Sequence, residues 1–401
     1  MAEFIYGSMA AVLLLIGILL IIGSRALERA KSGLNPDHPG PWPAAALIVP
    51  VAGAAANLGD NLRSLLSQDY PDYQVIFVTR DLEDPASKVV AALIPEYPRS
   101  RLVLSGPASH CGQKNHNLLA GVQAAGKTPE ILVFCDSTRL APAEWLKGLV
   151  LPLVKGEAPV VSGYYYVIPQ DGGLAAWGRA ATALFLFLTK GISRLNQPWG
   201  GGTAIRRRLF EGLRVRELWA ANVVDDVSLA MLLQEKGLRV GLAAGESLIT
   251  PISGDTLATW GDWLIRQWIY LKFCLPGSWV ALGLFFYLLA GLVLWAGVRI
   301  IITSLGSAPI SAWPEAAFLG ILTGLSLALK DLHPQPPRLS TWLPAFYAAI
   351  FMGAWCHLRN WPMREIHWRG ISYRVGWKGR VLGKRENDSP QRHREHRVTQ
   401  R

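Results

Sequence analysis

The chain has 401 residues, of which 51% are hydrophobic and 17% are charged. A soluble globular protein usually has about 25% charged residues, so this composition excludes an ordinary soluble enzyme, and the apolar content excludes a disordered or collagen-like chain. The net charge is +11, and from Arg359 to Arg401 there are 12 Lys and Arg against 4 Asp and Glu, so the basic character belongs mainly to a C-terminal tail.

The first apolar run, residues 4–24, predicts a membrane anchor. It contains no charged side chain, which matches the roughly 20 apolar residues that cross a bilayer. Arg25, Arg29 and Lys31 follow it directly. Because Glu3 precedes the run, the pattern indicates a retained anchor and not a cleaved signal peptide. The positive-inside rule then puts the following chain in the cytoplasm, as in an integral protein of a bacterial-type inner (plasma) membrane.

Residues 42–272 predict an α/β domain with a mostly parallel sheet. Short β-branched runs alternate there with helix-like stretches, the pattern of a sheet with helices on both faces. The predicted strands are Ala45–Val51, Gln74–Thr79, Leu102–Leu104 and Ile131–Cys135. The predicted helices are Asn57–Gln68, Pro85–Tyr97 and Lys114–Gly126. Since such sheets bind ligands beyond the carboxyl ends of their strands, the functional residues are expected just after these strands.

Polar residues follow three of the four predicted strands. Asp81 and Asp84 come after the second strand. Lys114 lies in a polar stretch after the third strand, and Asp136 follows the fourth. A single Asp in such a place often serves only as a helix cap or turn residue. Carboxylates that converge beside a lysine, in contrast, suit a divalent cation and a nucleotide diphosphate.

Two later motifs carry further candidate residues. Gly200, Gly201 and Gly202 allow a ligand to approach the backbone closely, although a glycine triplet is also typical of a loop tip. Asp225 and Asp226 come at a predicted helix start, where capping would need only one carboxylate. Adjacent carboxylates in a cleft raise each other's pKa, which suits one of them to general-base catalysis.

Residues 273–358 predict a C-terminal transmembrane region, and residues 359–401 a basic tail. The uncharged runs are Phe273–Val298, Ala316–Leu329 and Leu339–Cys356. Together with the anchor they make four spans, which would put the tail opposite the Arg25 cluster and contradict the positive-inside rule. One segment is therefore expected to be re-entrant or interfacial, or a span has been missed.

Two segments bear on this count. Ala180–Thr189 is the candidate for a missed or interfacial segment, and an ordinary buried helix is the alternative. Arg364–Val375 alternates like a strand. If it folds back on the preceding domain, the tail is cytoplasmic, where its charge suits contact with anionic lipid or simply solvent.

Seven motifs occur in order between Leu47 and Tyr270. They are IleValProValAla, SerLeuLeuSerGlnAspTyrPro, GluAspProAla, GlyGlnLysAsnHisAsnLeu, CysAspSer, GlyGlyGlyThrAlaIleArgArg and AspAspValSerLeuAla. In this order they resemble family 2 glycosyltransferases with the GT-A fold, and most closely the membrane branch that resembles ceramide glucosyltransferase. The resemblance also covers the layout of one N-terminal anchor and several C-terminal spans.

The resemblance implies a cytosolic GT-A domain with one N-terminal and about three C-terminal transmembrane helices. It also implies inverting transfer of a hexose, such as glucose, from a UDP-sugar to a lipid hydroxyl of a ceramide-, diacylglycerol- or hopanoid-like acceptor. Asp84 would contact the nucleotide, Asp136 would serve a divalent cation (Mg²⁺ or Mn²⁺) and the diphosphate, and Asp226 would be the base. The remaining residues that it assigns to the substrate site are Lys114, Gly201, Gly202, Asp225, Arg266 and Trp268.

Two motifs depart from the family pattern. The DxD motif is AspSerThr at residues 136–138, so its second carboxylate is absent and tight metal binding is in doubt. In the QxxRW motif, Trp268 fits the tryptophan, but Gln267 stands where the arginine belongs and Arg266 comes one position early. If Trp263–Lys272 is instead an amphipathic helix on the membrane, its aromatic residues would be interfacial anchors.

Two other functions share parts of this pattern. A processive polysaccharide synthase would use the same acidic residues but would be expected to retain QxxRW and to have more spans. A non-catalytic nucleotide-sugar-binding protein on a decayed scaffold would explain the altered motifs. Retention of Asp84, Lys114, Asp136 and Asp226 favours an enzyme, with no nucleic-acid partner expected.

Overall fold

A computed structural model gives the fold and describes residues 2–32, 40–53, 55, 57–306 and 311–386. The last part of the predicted basic tail, residues 387–401, lies outside the described residues. The helices are α1 Ala2–Ser32, α2 Leu58–Leu66, α3 Pro85–Leu93, α4 Gln113–Ala124, α5 Trp145–Val154, α6 Leu174–Lys190, α7 Arg207–Gly212, α8 Val215–Trp219, α9 Asp226–Glu235, α10 Leu257–Cys274, α11 Pro276–Ser304, α12 Trp313–Asp331 and α13 Leu339–Asn360. The strands are β1 Ala45–Pro50, β2 Tyr73–Thr79, β3 Ser100–Leu104, β4 Ile131–Phe134, β5 Val160–Ser162, β6 Tyr165–Pro169, β7 Thr203–Arg206, β8 Val240–Leu242, β9 Leu248–Ile252, β10 Glu365–Trp368, β11 Ile371–Val375 and β12 Val381–Glu386.

The central element is a seven-stranded sheet in the order β3-β2-β1-β4-β7-β5-β8. Only β7 runs antiparallel to its neighbours β4 and β5, and the other pairs are parallel. The four predicted strands and three predicted helices are confirmed, with bounds that differ by a few residues, because short β-branched runs and the polar turns between them were clear in the sequence. The expected α/β class with a mostly parallel sheet is confirmed.

The sheet is buried on both faces because alternate side chains of its strands point into two separate cores. In β1, Leu47 and Val49 pack in the core that contains Trp145 from α5, whereas Ile48 packs with Leu118 from α4 on the other face. This period of two is the direct result of strand geometry. The carboxyl ends of β1 and β4 are therefore held between two packed layers.

Three helices of the described residues are long and apolar enough to cross a membrane: α1, α11 and α13, with mean hydropathies of 2.7, 2.2 and 1.3. The three predicted C-terminal runs thus fall in α11, α12 and α13. Within the part of the chain that the structure describes, α12 does not meet this criterion, although it packs against α1 and α11. Glu315, Lys330 and Asp331 near its ends lower its average hydropathy.

The segment Ala180–Thr189 is part of a buried helix, so the buried-helix alternative is correct. It lies in α6, whose Ala180, Ala181 and Leu184 pack in the same core as β6. The neighbouring helix α13 also packs along α6. The apolar run in α6 is therefore explained by this double packing.

The prediction that Arg364–Val375 folds back as a strand is confirmed by β10 and β11. With β12 they form a three-stranded antiparallel sheet on the central domain. Val381 N donates to Ala221 O at 3.0 Å. The described part of the tail consequently lies on the same side as the central sheet.

The alternative that the aromatic segment in α10 anchors the protein in the membrane interface is wrong for Ile265, Trp268 and Ile269, whereas Trp263 and Tyr270 are half-buried. Ile265, Trp268 and Ile269 are buried in a core formed with Tyr373 of β11. The 3% exposure of Trp268 leaves almost no surface for lipid headgroups. Packing between α10 and the returning C-terminal segments accounts for these apolar residues.

Candidate active site

A cavity of about 1100 Å³ opens where β1 and β4 end and where α4 and α9 begin. Its walls include five residues that the sequence singled out: Lys114, Asp136, Asp225, Asp226 and Arg266. The cavity thus lies at the carboxyl edge of the sheet, where ligands of parallel α/β sheets bind.

An ion cluster occupies one end of the cavity. Lys114 Nζ is 2.9 Å from Asp136 Oδ1 and 3.1 Å from Asp225 Oδ1. Burial alone would lower the pKa of Lys114, but Asp136 and Asp225 outweigh burial and raise it. Burial likewise opposes ionisation of Asp136, yet Lys114 and Arg139 hold its pKa below the usual value. Lys114 and Asp136 are therefore both charged near neutral pH.

Asp225 differs from the rest of the cluster. Its side chain is only 4% exposed, and burial raises its pKa to about 6, with Asp226 and Asp136 adding to the rise against Lys114. Asp225 stands just before α9 but makes no side-chain cap bond to the described residues. Helix capping therefore does not explain this carboxylate.

Asp226 faces the cavity beside this buried pair. Its Oδ2 accepts a hydrogen bond from Gly200 N at 2.9 Å, and its Oδ1 accepts one from Val227 N at 2.7 Å. Asp226 is partly exposed, whereas Asp225 is buried. Of the two neighbouring carboxylates, Asp226 is thus the one that a bound molecule can reach.

Two glycines let the polypeptide approach the cluster. A Cβ atom at Gly200 would overlap the carboxylate of Asp225 and the ammonium of Lys114. A Cβ atom at Gly112, just before α4, would overlap Val223 O. Both positions need glycine because of close approach and not because of an unusual φ.

The start of α4 is also tied directly to the chain that precedes α9. Gly112 N donates to Asn222 O at 2.9 Å, and Asn115 Nδ2 donates to the same oxygen at 2.9 Å. Lys114 lies between these two residues in sequence. The bonds therefore fix Lys114 relative to the aspartate pair.

Four other predicted site residues are not among the described residues that line the cavity: Asp84, Gly201, Gly202 and Trp268. Asp84 Oδ1 accepts from Ala86 N at 2.9 Å, as the cap of α3, and from Gly53 N at 2.7 Å. It therefore fixes the backbone at Gly53, which follows the cavity-lining residue Ala52 after β1.

The two later glycines and Trp268 have packing positions. A Cβ at Gly201 would overlap the Trp199 ring. A Cβ at Gly202 would lie 3.3 Å from that ring. Trp268 lines an adjoining apolar cavity between the helices, which shares Phe285 with the main cavity. Direct contact of these three residues with a substrate stays a prediction.

Sequence reasoning did not assign several cations that line the cavity to the site, and Arg139 and Lys190 are two of them. Arg139, three residues after Asp136, lies 4.0 Å from the centroid of the Tyr165 ring and donates to Thr250 Oγ1. Lys190 at the end of α6 is 7% exposed, and burial lowers its pKa to about 7. Its charge at the end of an apolar helix was visible in the sequence, but it suggested a membrane flank.

The far end of the same cavity is apolar and is formed by membrane-type helices. Leu15 and Leu19 of α1 and Leu282 and Phe285 of α11 line it. Phe185 of α6 stacks on Phe285 with a centroid distance of 6.0 Å. The cavity therefore joins a charged end to an apolar end.

A divalent cation would have a single carboxylate here. Among the described residues there is no group of three or more His, Cys, Asp or Glu that is placed to hold a metal ion. Asp136 lines the cavity with 26% of its side chain exposed. One carboxylate is nevertheless a suitable protein ligand for Mg²⁺, which usually takes its other ligands from water and substrate phosphates.

Comparison with known proteins identifies a family, and the proteins similar to this chain include a curated enzyme and a solved structure. The family model that matches is Glycosyl transferase family 21, over residues 9–381. Ceramide glucosyltransferase 1 of Caenorhabditis elegans is 20% identical over 252 residues, which are 62% of this chain and 53% of that protein. The chain thus spans about half the length of that curated relative. The mannosyltransferase PcManGT from Pyrobaculum calidifontis, solved with GDP-Man and Mn²⁺, is 19% identical with a TM-score of 0.48, over 89% of this chain and 99% of that chain.

Proposed function

The chain belongs to glycosyltransferase family 21, and from this premise we propose that it transfers a hexose from a UDP-sugar to a hydroxyl group of a membrane lipid. The observation that carries the proposal is the single cavity with Asp136 and Asp226 at one end and Leu15 and Phe285 at the other. A sugar nucleotide is charged and a lipid acceptor has a long apolar part. The two ends of the cavity match these two substrates.

Asp226 is the proposed base. Its carboxylate would accept the proton of the acceptor hydroxyl while that oxygen forms a bond to the anomeric carbon. The bond from that carbon to the diphosphate breaks on the opposite face, so the configuration inverts. The bonds from Gly200 N and Val227 N fix the carboxylate, which limits its motion during proton transfer.

Lys114 and Asp136 are the proposed residues at the diphosphate. Lys114 is paired with two carboxylates, so it orders the cluster and adds positive charge close to the leaving group. Asp136 would hold Mg²⁺ or Mn²⁺, and a bound cation neutralises negative charge that develops on the diphosphate. Asp84 supports the nucleotide end by holding Gly53.

The acceptor is proposed to reach the cavity from the bilayer. Leu15 and Leu19 of α1 and Leu282 of α11 line its apolar end, and both helices are long and apolar enough to cross a membrane. Acceptors with one hydroxyl headgroup and long hydrocarbon parts fit this arrangement, in the class of ceramide, diacylglycerol or hopanoid-like lipids. We place the catalytic domain in the cytoplasm of a bacterial-type cell, on the evidence of the basic residues Arg25, Arg29 and Lys31 at the C-terminal end of α1.

The test is transfer of radiolabel from a panel of UDP- and GDP-sugars into extracted lipid, with and without Mn²⁺ or Mg²⁺. Membranes that contain the wild type, Asp226→Asn or Asp60→Asn are compared. Asp60 is an exposed carboxylate whose side chain is 77% accessible, so its variant is the matched control. We expect label in a discrete lipid for the wild type and for Asp60→Asn, and at least a hundredfold less for Asp226→Asn, as for the loss of a general base.

The outcome also separates the other two functions. Label in a long polymer would replace the proposal with a processive synthase. Nucleotide binding without transfer from any donor would replace it with a binding protein. Equal transfer by Asp226→Asn and the wild type would remove Asp226 from the base role.

A further inference from the structure

The C-terminal sheet of β10–β12 is anchored on the two segments that carry the ion cluster. Gln113 N, at the start of α4, donates to Tyr373 OH at 3.1 Å. Val223 N, two residues before Asp225, donates to Gly379 O at 3.0 Å. Tyr373 is 1% exposed, so the first contact is shielded from water. The sheet is thus part of the wall of the active site and not an independent tail.

The turn between β10 and β11 points an arginine towards this site. Trp368 pairs with Ile371, which leaves Arg369 and Gly370 as a two-residue turn. Their φ values are 48° and 76°, and positive φ at both positions is the requirement of a type I′ hairpin turn. Gly, Asn or Asp normally occupies such positions. The backbone alone therefore does not explain an arginine at residue 369.

The side chain of Arg369 extends to the end of β1. A Cβ atom at Gly53 would lie 2.6 Å from Arg369 Nη1, so the guanidinium lies directly against the backbone that Asp84 holds. Arg369 and Asp136 line the same cavity. The charge of Arg369 also contributes to lowering the pKa of Asp136.

Each of three cations at this corner already has a neighbour in the protein. Lys114 is paired with two carboxylates, Arg139 packs on an aromatic ring, and Arg369 lies 5.5 Å from the centroid of the Trp368 ring. A nucleoside diphosphate gains negative charge as the bond to its sugar breaks, and Asp136 is the one carboxylate of the altered DxD motif that can hold a metal ion. A guanidinium is well suited to the remaining charge because its fork of N–H donors matches phosphate oxygens.

We infer that Arg369, carried by the β10–β11 turn, binds the diphosphate of the donor and that the C-terminal sheet thereby completes the donor site. The inference rests on the proposed sugar transfer. It assigns a ligand contact to a residue that follows α13, the last α-helix among the described residues. The contact stabilises the diphosphate both before and after the sugar leaves.

The test measures UDP and UMP binding to the purified full chain in detergent with Mg²⁺, by calorimetry. The variants are Arg369→Gln, Arg369→Lys and, as the matched control, Arg374→Gln, an exposed arginine on β11. We expect Arg369→Gln to bind UDP about tenfold more weakly, with less than a twofold change for UMP, because loss of a charge-assisted phosphate contact affects the diphosphate most. Arg369→Lys should recover only part of the affinity, and Arg374→Gln should match the wild type.

Each further outcome decides between explanations. Equal UDP affinity of Arg369→Gln and the wild type would overturn the inference and leave the proposed function intact. Equal weakening for UDP and UMP would also overturn it, because the defect would not lie at the diphosphate. A wild type that binds neither UDP nor GDP would instead overturn the proposed function, and the inference with it.

Discussion

At the scale of single residues, the most informative feature is the division of labour between Asp225 and Asp226. Asp225 is buried against Lys114, with its pKa raised to about 6, whereas Asp226 faces the cavity. Below about pH 6 Asp225 becomes protonated and its ion pair with Lys114 is lost. Enzyme activity should therefore fall as the pH decreases through this value.

We accordingly expect the acidic limb of the pH profile of kcat/KM to have a midpoint near pH 6, the value to which the pKa of Asp225 is raised. Asp225→Asn should lower kcat/KM at pH 7.5 about tenfold, which corresponds to about 1.4 kcal/mol of barrier, and should move the limb to lower pH. Steady-state kinetics between pH 5 and about pH 9 measures both effects over the range where such groups titrate. An Asp225→Asn profile with an unchanged midpoint would assign the limb to another member of the cluster.

Residue 138 provides a second test at this scale. Thr138 lines the cavity and is exposed, and it stands where the family pattern has the second carboxylate of DxD. Thr138→Asp should tighten Mn²⁺ binding about tenfold, since carboxylate count controls affinity for hard cations. Electron paramagnetic resonance of free Mn²⁺ in the presence of UDP measures this affinity directly. Thr138→Asn is the control of similar size without charge, and equal affinities of the Asp and Asn variants would show that residue 138 does not reach the metal.

At the scale of elements, the local sequence pattern was sufficient to predict a strand or helix whose formation depends mainly on its own residues. The short apolar run of β1 and the glycine, proline and polar residues around it predicted the strand, and the carboxyl-edge rule led to Lys114 and Asp136, whereas Asp226 was found from the pair of carboxylates at a predicted helix start. The carboxyl-edge rule did not show whether Asp84 is a helix cap or a ligand contact, because both roles place an Asp after a strand. It also missed Arg369, because the segment that carries it is brought back only by the packing of α10–α13.

The anchor helix α1 is held to the domain by a close contact that can be tested. A Cβ atom at Gly23 would lie 2.7 Å from Leu188 O of α6, whereas at Gly7 a Cβ atom would have no neighbour within 4 Å. Gly23→Ala should separate the two helices and cost about 1–3 kcal/mol through overpacking. Gly7→Ala should leave stability unchanged or raise it by up to about 1 kcal/mol through helix propensity.

Thermal unfolding in detergent, followed together with sugar transfer, compares these two variants. Because α1 also lines the apolar end of the cavity through Leu15 and Leu19, Gly23→Ala should lower transfer to lipid as well as the midpoint of unfolding. Equal midpoints for the two alanine variants would mean that α1 adjusts freely and that the contact at Gly23 does not hold it.

At the scale of the whole molecule, the ends of the apolar helices decide how the chain crosses the membrane. Glu315 near the start of α12 lies 3.3 Å from Arg299 of α11 and 3.5 Å from Tyr6 near the start of α1. The end of α12 is on the domain side, where His333 Nε2 lies 2.9 Å from Val167 O of β6. Its 19 residues span about 28 Å, close to the thickness of the hydrocarbon core.

Helix α13 behaves differently, although its length and composition resemble those of a span. It begins six residues after His333, so its first turn is on the domain side. At its other end, Lys272 Nζ of α10 donates to Asn360 O at 3.1 Å and to Trp361 O at 2.6 Å. Between these ends it packs along α6 and α10 of the domain and, on another part of its surface, against α11. Both ends of α13 are therefore on the same side as the central sheet.

We therefore expect α1, α11 and α12 to cross the membrane and α13 to lie along its surface, which removes the conflict between four spans and the basic tail.

The test uses single cysteines in place of four exposed residues, Glu3, Asp60, Gln335 and Arg374. Each cysteine reports the side of its segment when sealed vesicles of both orientations react with an impermeant maleimide. The four native cysteines are buried and can remain. Cysteines at 60, 335 and 374 should react from one side and the cysteine at 3 from the other, because α1 crosses once before residue 60, and α11 and α12 together return the chain to the side of residue 60 before residues 335 and 374. Reaction of the cysteine at 335 from the side opposite to that at 60 would mean that α13 crosses the bilayer and that its contacts with α6 and α10 do not form in the membrane.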